Sequence, residues 1–254
     1  KLNRAKKHFT NTERLRFLLS YSGGDFDCCK RLAKQIEAIT FHIQKKDAKK
    51  FYKQCIYENR KFGVFKNTNY HGYFKRDYSP ETLLPLLDTR RGTPQEVCYI
   101  NKFQIVHFTG HTSTGQNYRN IKQVWMHANA LFALRIDVPV PVGIFKKYPA
   151  KLSKEGFLIS LIPENCIPLD QYVDLHSGKN SILYALLRLA EQVSPFGTFS
   201  KDLSTHDFLV QMKGNRLECY LGNYTAFHIN HHSVQKNRTA NTRIIKQLLQ
   251  TDDT

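Results

Sequence analysis

The chain has 254 residues, 41% of them hydrophobic, and a net charge of +17. That length and apolar content supply a buried core and exclude a disordered chain. No run of about 18 apolar residues occurs, so no membrane-spanning helix is expected. The charge invites an anionic partner (nucleic acid, an anionic membrane face or a phosphorylated glycan). The plainer reading is a basic surface kept for solubility. Lys1 to Phe9 are basic but lack the apolar stretch of a signal peptide. The six cysteines, Cys28, Cys29, Cys55, Cys98, Cys166 and Cys219, form no CxxC pair. They read as reduced thiols of a cytosolic protein.

The first third reads helical. Thr10-Asn11-Thr12-Glu13 has the form of a capping box, Leu15, Leu18 and Leu19 mark one face, and Gly23-Gly24 stops the helix. Leu32, Ile36, Ile39 and Ile43 predict a second helix, and a third is expected over 47–60. Lys45, Lys46, Lys49, Lys50 and Lys53 lie on its other face, as a solvated surface or a contact for phosphate. From Lys61 to Tyr78 the pattern is irregular, aromatic and basic. It reads as a long loop packed on the domain, with single-stranded nucleic acid binding as the alternative.

Residues 97–108 read as one strand. A helix with Ile121, Val124, Ala128 and Leu131 on one face follows, broken at Val138-Pro139-Val140-Pro141. Strands are expected near 142–145 and 157–162, and a helix over 181–193. Residues 208–212 and 217–221 form a hairpin around Lys213-Gly214-Asn215. A last helix holds Ile244, Ile245, Leu248 and Leu249. There is no internal repeat and no low-complexity tract.

Strands with one intervening helix, a linker, then a helical half with an inserted hairpin is the order of a kinase-like fold. Three stretches carry a closer resemblance. They are Asn129-Ala130-Leu131 with Leu134 and Val138-Pro139-Val140-Pro141, then Gly156–Ile162 with Leu169-Asp170-Gln171-Tyr172, and last Gly197–Leu203 with Phe208-Leu209-Val210 and Tyr220–Tyr224. In order and spacing they resemble the lipopolysaccharide kinases of the Kdo/WaaP family, from about Glu96 to Leu249. The resemblance implies an α+β, two-lobed protein-kinase-like fold with an N-terminal helical extension. Residues 1–80 would form the basic extension, 81–163 an N-lobe and 164–254 a helical C-lobe.

Phosphoryl transfer in such a fold depends on placed charges: a lysine on phosphate, a glutamate holding it, a catalytic aspartate and a magnesium-binding aspartate. By the resemblance, Asn101 stands at the lysine position. Lys102 beside it serves only if a bulge re-aims it. The glutamate position falls at or near His127, and no acidic residue lies between Glu96 and Asp137. Asp202 is the candidate base, preceded by Ser200-Lys201, and Asp207 follows five residues on as a candidate magnesium ligand. The metal-binding aspartate falls on Gly222, with neutral Asn223 beside it. Each lost charge typically costs about 10²–10³ in rate. No glycine-rich phosphate loop is present: Arg90 and Arg91, beside Gly92, read as a basic turn. His228, His231 and His232 form the only histidine cluster, and His228 and His232 could share a metal if helical.

The resemblance therefore implies a degenerate, pseudokinase-like relative of the lipopolysaccharide core sugar kinases. It would be catalytically impaired and act by binding an anionic glycolipid, a membrane surface or a partner protein. No cofactor is expected. Two alternatives stand beside it. One is an active sugar kinase using ATP and magnesium through Lys102, Asp202 and Asp207. The other is a nucleic-acid-binding module using Lys45 to Lys53 and the aromatic segment. The expected location is cytoplasmic, with peripheral attachment at the inner membrane as a further placement.

Overall fold

The computed structural model describes residues 11–88, 97–108, 121–147, 156–175, 179–230 and 232–251. It opens on a helical hairpin, α1 (Asn11–Tyr21) and α2 (Phe26–Gln54). Gly23 and Gly24 both take positive φ, which lets the Gly24 amide donate to the Leu19 carbonyl and close α1. Asp25 then caps α2, its carboxylate accepting from the amides of Asp27 and Cys28. Thr10, the expected cap of α1, lies outside the described residues. Where two helices were expected, α2 is one helix of 29 residues. Between Ile43 and Asp47 stand Gln44, Lys45 and Lys46, none of them a breaker, and Gln44 and Ala48 carry the buried face straight through.

The basic aromatic segment expected as a loop is instead a β-hairpin, β1 (Phe62–Lys66) and β2 (Tyr70–Lys75). Two asparagines shape it. Asn59 accepts from the amides of Lys61 and Phe62, and Asn67 from those of Asn69 and Tyr70. Helix α3 (Pro80–Asp88) follows, then β3 (Val97–Ile100), β4 (Phe103–Phe108), α4 (Ile121–Ala133), β5 (Val140–Lys147) and β6 (Gly156–Leu161). The single strand expected over 97–108 is thus two strands, paired from Ile100–Phe103 outward. Asn101 and Lys102 are the turn, with Asn101 at φ 54°.

Six strands form one antiparallel sheet in the order β1-β2-β5-β6-β4-β3. The segment assigned to a helical extension therefore supplies two of its strands, and a boundary at residue 80 cuts through the sheet. One sheet face packs Phe103, Ile105, Phe145 and Ile159 against Leu83 and Leu87 of α3. The other packs Val106, Ile144 and Leu158 against Trp125 and Leu131 of α4. Trp125 also joins the N-terminal hairpin to the sheet: its indole N–H donates to the Cys55 carbonyl at 2.7 Å, and its ring meets Phe62 edge-on.

The second half holds β7 (Ile167–Pro168), α5 (Leu169–Leu175), α6 (Lys179–Val193), β8 (Gly197–Phe199), β9 (Phe208–Lys213), β10 (Arg216–Leu221), β11 (Phe227–Ile229) and α7 (Val234–Thr251). The expected hairpin is β9–β10, turning at Gly214 with φ 61°. Helix α7 is docked by two buried asparagines. Asn241 accepts from the Phe199 amide and donates to the Gly197 carbonyl, and Asn237 donates to the Ser194 carbonyl. The α4-side core runs on without a break into Leu186, Phe227 and Ile245. The element order, strand–helix–strand–strand and then helices around an inserted hairpin, is the one expected of a kinase-like chain. All six cysteines are free thiols. Among the described residues no helix is long and apolar enough to cross a membrane.

Candidate functional site

The sheet meets the second half where β4 faces the end of β10. Side chains alternate along β4, so Phe103 and Ile105 point to one core and Gln104 to the other side. Gln104 is only 1% exposed. Its Nε2 donates to the Tyr99 hydroxyl at 3.4 Å, while its Oε1 is buried without a protein partner. Directly across lies Gly222. A Cβ there would sit 3.3 Å from the Asp207 carbonyl oxygen and 3.5 Å from Gln104 Nε2. The uncharged residue over the hairpin end is therefore Gln104, which the sequence reading missed. In the sequence it is one of two polar residues, with His107, in the largely apolar run Phe103–Phe108, and nothing sets it apart.

Asp207 closes the short 3₁₀ turn Thr205–Asp207. Its Oδ2 accepts from the Ser204 amide at 2.8 Å and from the Ser204 hydroxyl at 3.3 Å, and its Oδ1 accepts from Asn223 Nδ2 at 2.7 Å. Its carbonyl oxygen accepts from the amides of Gly222 and Asn223. Asn223 in turn accepts from the amide and hydroxyl of Thr225. The two candidate metal ligands are thus brought together, but as a clamp between two loops. Burial raises the Asp207 pKa; the donors from Ser204 and Asn223 work against that rise without cancelling it.

The other candidate residues are spread around this clamp. Asp202 is exposed in a turn, its amide donating to the Ser200 hydroxyl at 3.4 Å. His206 is exposed and pairs Nδ1 with Asp170 Oδ2 at 3.0 Å. Asn101 and Lys102 sit in the β3–β4 turn, both exposed, with Lys102 Nζ near the Phe103 ring. A turn residue has no strand face, so no bulge re-aims Lys102 here. His127 on α4 donates from Nε2 to the Phe227 carbonyl at 2.9 Å, and burial lowers its pKa to about 4, so the ring is neutral at pH 7. His228 is on β11 and His232 in the loop beyond, so the helical spacing a shared metal required does not form. His231, Arg90 and Arg91 lie outside the described residues. Among the described residues no three His, Cys, Asp or Glu side chains gather to hold a metal.

Of the described side chains around Gly222, Gln104 offers phosphate no cation. Asp207, the carboxylate at the clamp, has both oxygens engaged by protein donors. What the site does is join two halves through hydrogen bonds to the Asp207 carboxylate and carbonyl. Tyr224, just beyond, completes that junction: its buried hydroxyl donates toward the Pro139 carbonyl at 2.6 Å and lies 3.0 Å from the Ser160 hydroxyl.

No protein-family model matches this sequence, and no curated protein matches it. Among solved structures the chain is similar to WaaP in a complex with acyl carrier protein, with a TM-score of 0.38 and 9% identity, over 65% of this chain and 73% of that one. It is also similar to Rio2 kinase of Chaetomium thermophilum in an ADP/Mg2+-phosphoaspartate complex, with a TM-score of 0.37 and 13% identity, over 98% of this chain and 82% of that one.

Proposed function

We propose that this chain is a kinase-like protein that does not transfer phosphate efficiently and acts by binding, its partner being an anionic glycolipid or another protein. One observation carries the reading: the Asp207 carboxylate is held by Ser204 and Asn223 opposite Gly222, under an uncharged Gln104. A phosphoryl-transfer centre needs free carboxylates for metal and a cation for phosphate, and the described residues supply neither there. The net charge of +17 supports an anionic partner.

A thermal-shift titration tests it, because a ligand that binds only the folded state raises the melting temperature. Millimolar ATP with magnesium is expected to give no rise over ATP alone. A clear magnesium-dependent rise, with phosphate incorporation that Asp202→Asn abolishes, would overturn the reading in favour of an active kinase. A phosphorylated glycolipid in the same assay separates the two kinds of binding partner.

A further inference from the structure

Among the described residues, the α1–α2 hairpin carries a set of large apolar side chains that stay exposed. Phe17 is 53% exposed, Tyr21 75%, Phe26 50% and Ile39 60%. Single exposed apolar residues are ordinary, but these share one hairpin, and three of them gather at its turn. Phe17 and Tyr21, one helical turn apart, stack with ring centroids 6.5 Å apart. Phe26 opens α2 just past the turn, and Lys30 Nζ stands 4.6 Å above its ring.

Cations frame these rings. Arg16, Lys30, Arg31 and Lys34 are exposed, against Asp25, which is used as the cap of α2, and Asp27, which lies 4.0 Å from Lys30. Further along, His42, Lys46, Lys49 and Lys53 continue an exposed stripe at helical spacing, opposite the buried Gln44 and Ala48. From Arg31 to Lys53 the stripe runs about 33 Å along the helix.

We propose that this hairpin docks on an anionic lipid bilayer, its aromatic turn entering the headgroup boundary and its basic stripe lying along the phosphates. Both halves of the surface fit that occupant. Aromatic and aliphatic side chains partition into the acyl boundary, and clustered lysines and arginines are drawn to an anionic leaflet. A nucleic acid would use the cations and the rings but offers nothing to Ile39, which has no face to stack on a base. A second copy in a two-fold contact would set the same cations against each other. The inference names a surface for the anionic partner proposed above, but it rests on the hairpin alone and stands whether or not ATP binds.

The test is sedimentation of the full chain with vesicles of phosphatidylcholine alone, or of equal parts phosphatidylcholine and phosphatidylglycerol. The chain is expected to pellet with the mixed vesicles only, and less at high salt. A triple variant Phe17→Ser, Tyr21→Ser, Phe26→Ser, checked for an unchanged melting temperature, is expected to bind about tenfold or more weakly. Tyr21→Trp adds a direct readout. Its fluorescence is quenched by brominated acyl chains, whereas Trp125, the only tryptophan of the parent and fully buried, is not. The proposal is overturned if the chain does not pellet, if the triple variant pellets as the parent does, or if Tyr21→Trp binds without quenching. A salt-sensitive shift of an RNA or DNA oligonucleotide with no vesicle binding assigns the stripe to nucleic acid instead. Dimerisation that the triple variant abolishes, again without vesicle binding, assigns it to a second copy.

Discussion

Burial lifts the Asp207 carboxyl above its ordinary pKa although Ser204 and Asn223 both donate to it, so the ionised form is held at some cost. Because the folded pKa is the higher one, this group's contribution to stability is greatest below its ordinary value and falls as pH rises through the raised one. Asp207→Ala would leave the Ser204 amide and the Asn223 side chain without their acceptor, and we expect a loss of about 1–3 kcal/mol in urea unfolding. His127 behaves in the opposite sense. Its folded pKa is depressed to about 4 from 6.5, so its contribution is present above about 6.5 and is lost as pH falls toward 4. His71 and His228, also depressed by burial, add to the same slope. A pH series of melting temperatures should therefore fall across that window, and His127→Gln, which retains a donor for the Phe227 carbonyl, should flatten part of the fall. The sequence singled out Asp207, Gly222 and Asn223, which the fold places side by side, and Asp202, which it leaves exposed in a turn apart from them. Gln104 was not legible. A glutamine carries no chemical signature, and only the register of β4, set by the Asn101-Lys102 turn, aims it at Gly222.

The elements that read correctly were those with one strong periodicity and a clean stop. The hairpin β9–β10 has two short apolar-rich strands and a glycine in its turn, and α6 and α7 repeat apolar residues at helical spacing. The hairpin β1–β2 read as a loop because it is aromatic on both faces: Phe62 enters the α4-side core while Phe65 packs on Phe145 in the other. Period-two alternation of polar and apolar residues cannot appear in such a segment. Its attachment to the sheet depends on Gly72, which pairs with Phe145 on β5. A Cβ at Gly72 would run into the Ile144 carbonyl oxygen and the edge of the Phe145 ring. We expect Gly72→Ala to cost about 1–3 kcal/mol by overpacking, with hydrogen-exchange protection lost first in β1 and β2.

At the scale of the whole molecule, a net charge of +17 is balanced by few close ion pairs on the described surface. Arg76–Glu58 and Arg238–Glu191, both at 2.7 Å, are exposed and contribute little. Self-repulsion then dominates the electrostatics. Raising the salt from about 0.01 M to 0.15 M, which shortens the Debye length from about 30 Å to about 8 Å, should raise the melting temperature. A fall on adding salt would mean that attractive pairs outweigh the repulsion.

The Tyr224 hydroxyl, lodged between the Pro139 carbonyl and Ser160, works together with the Leu221 amide bonded to the Asp137 carbonyl. These bonds stitch the hairpin end to the segment that leads into β5 and to β6. A seam closed by a fully buried tyrosine and continuous apolar packing yields only when the whole domain does. Such a junction gives the protein a rigid seam, able to hold whatever surface it carries in one fixed orientation.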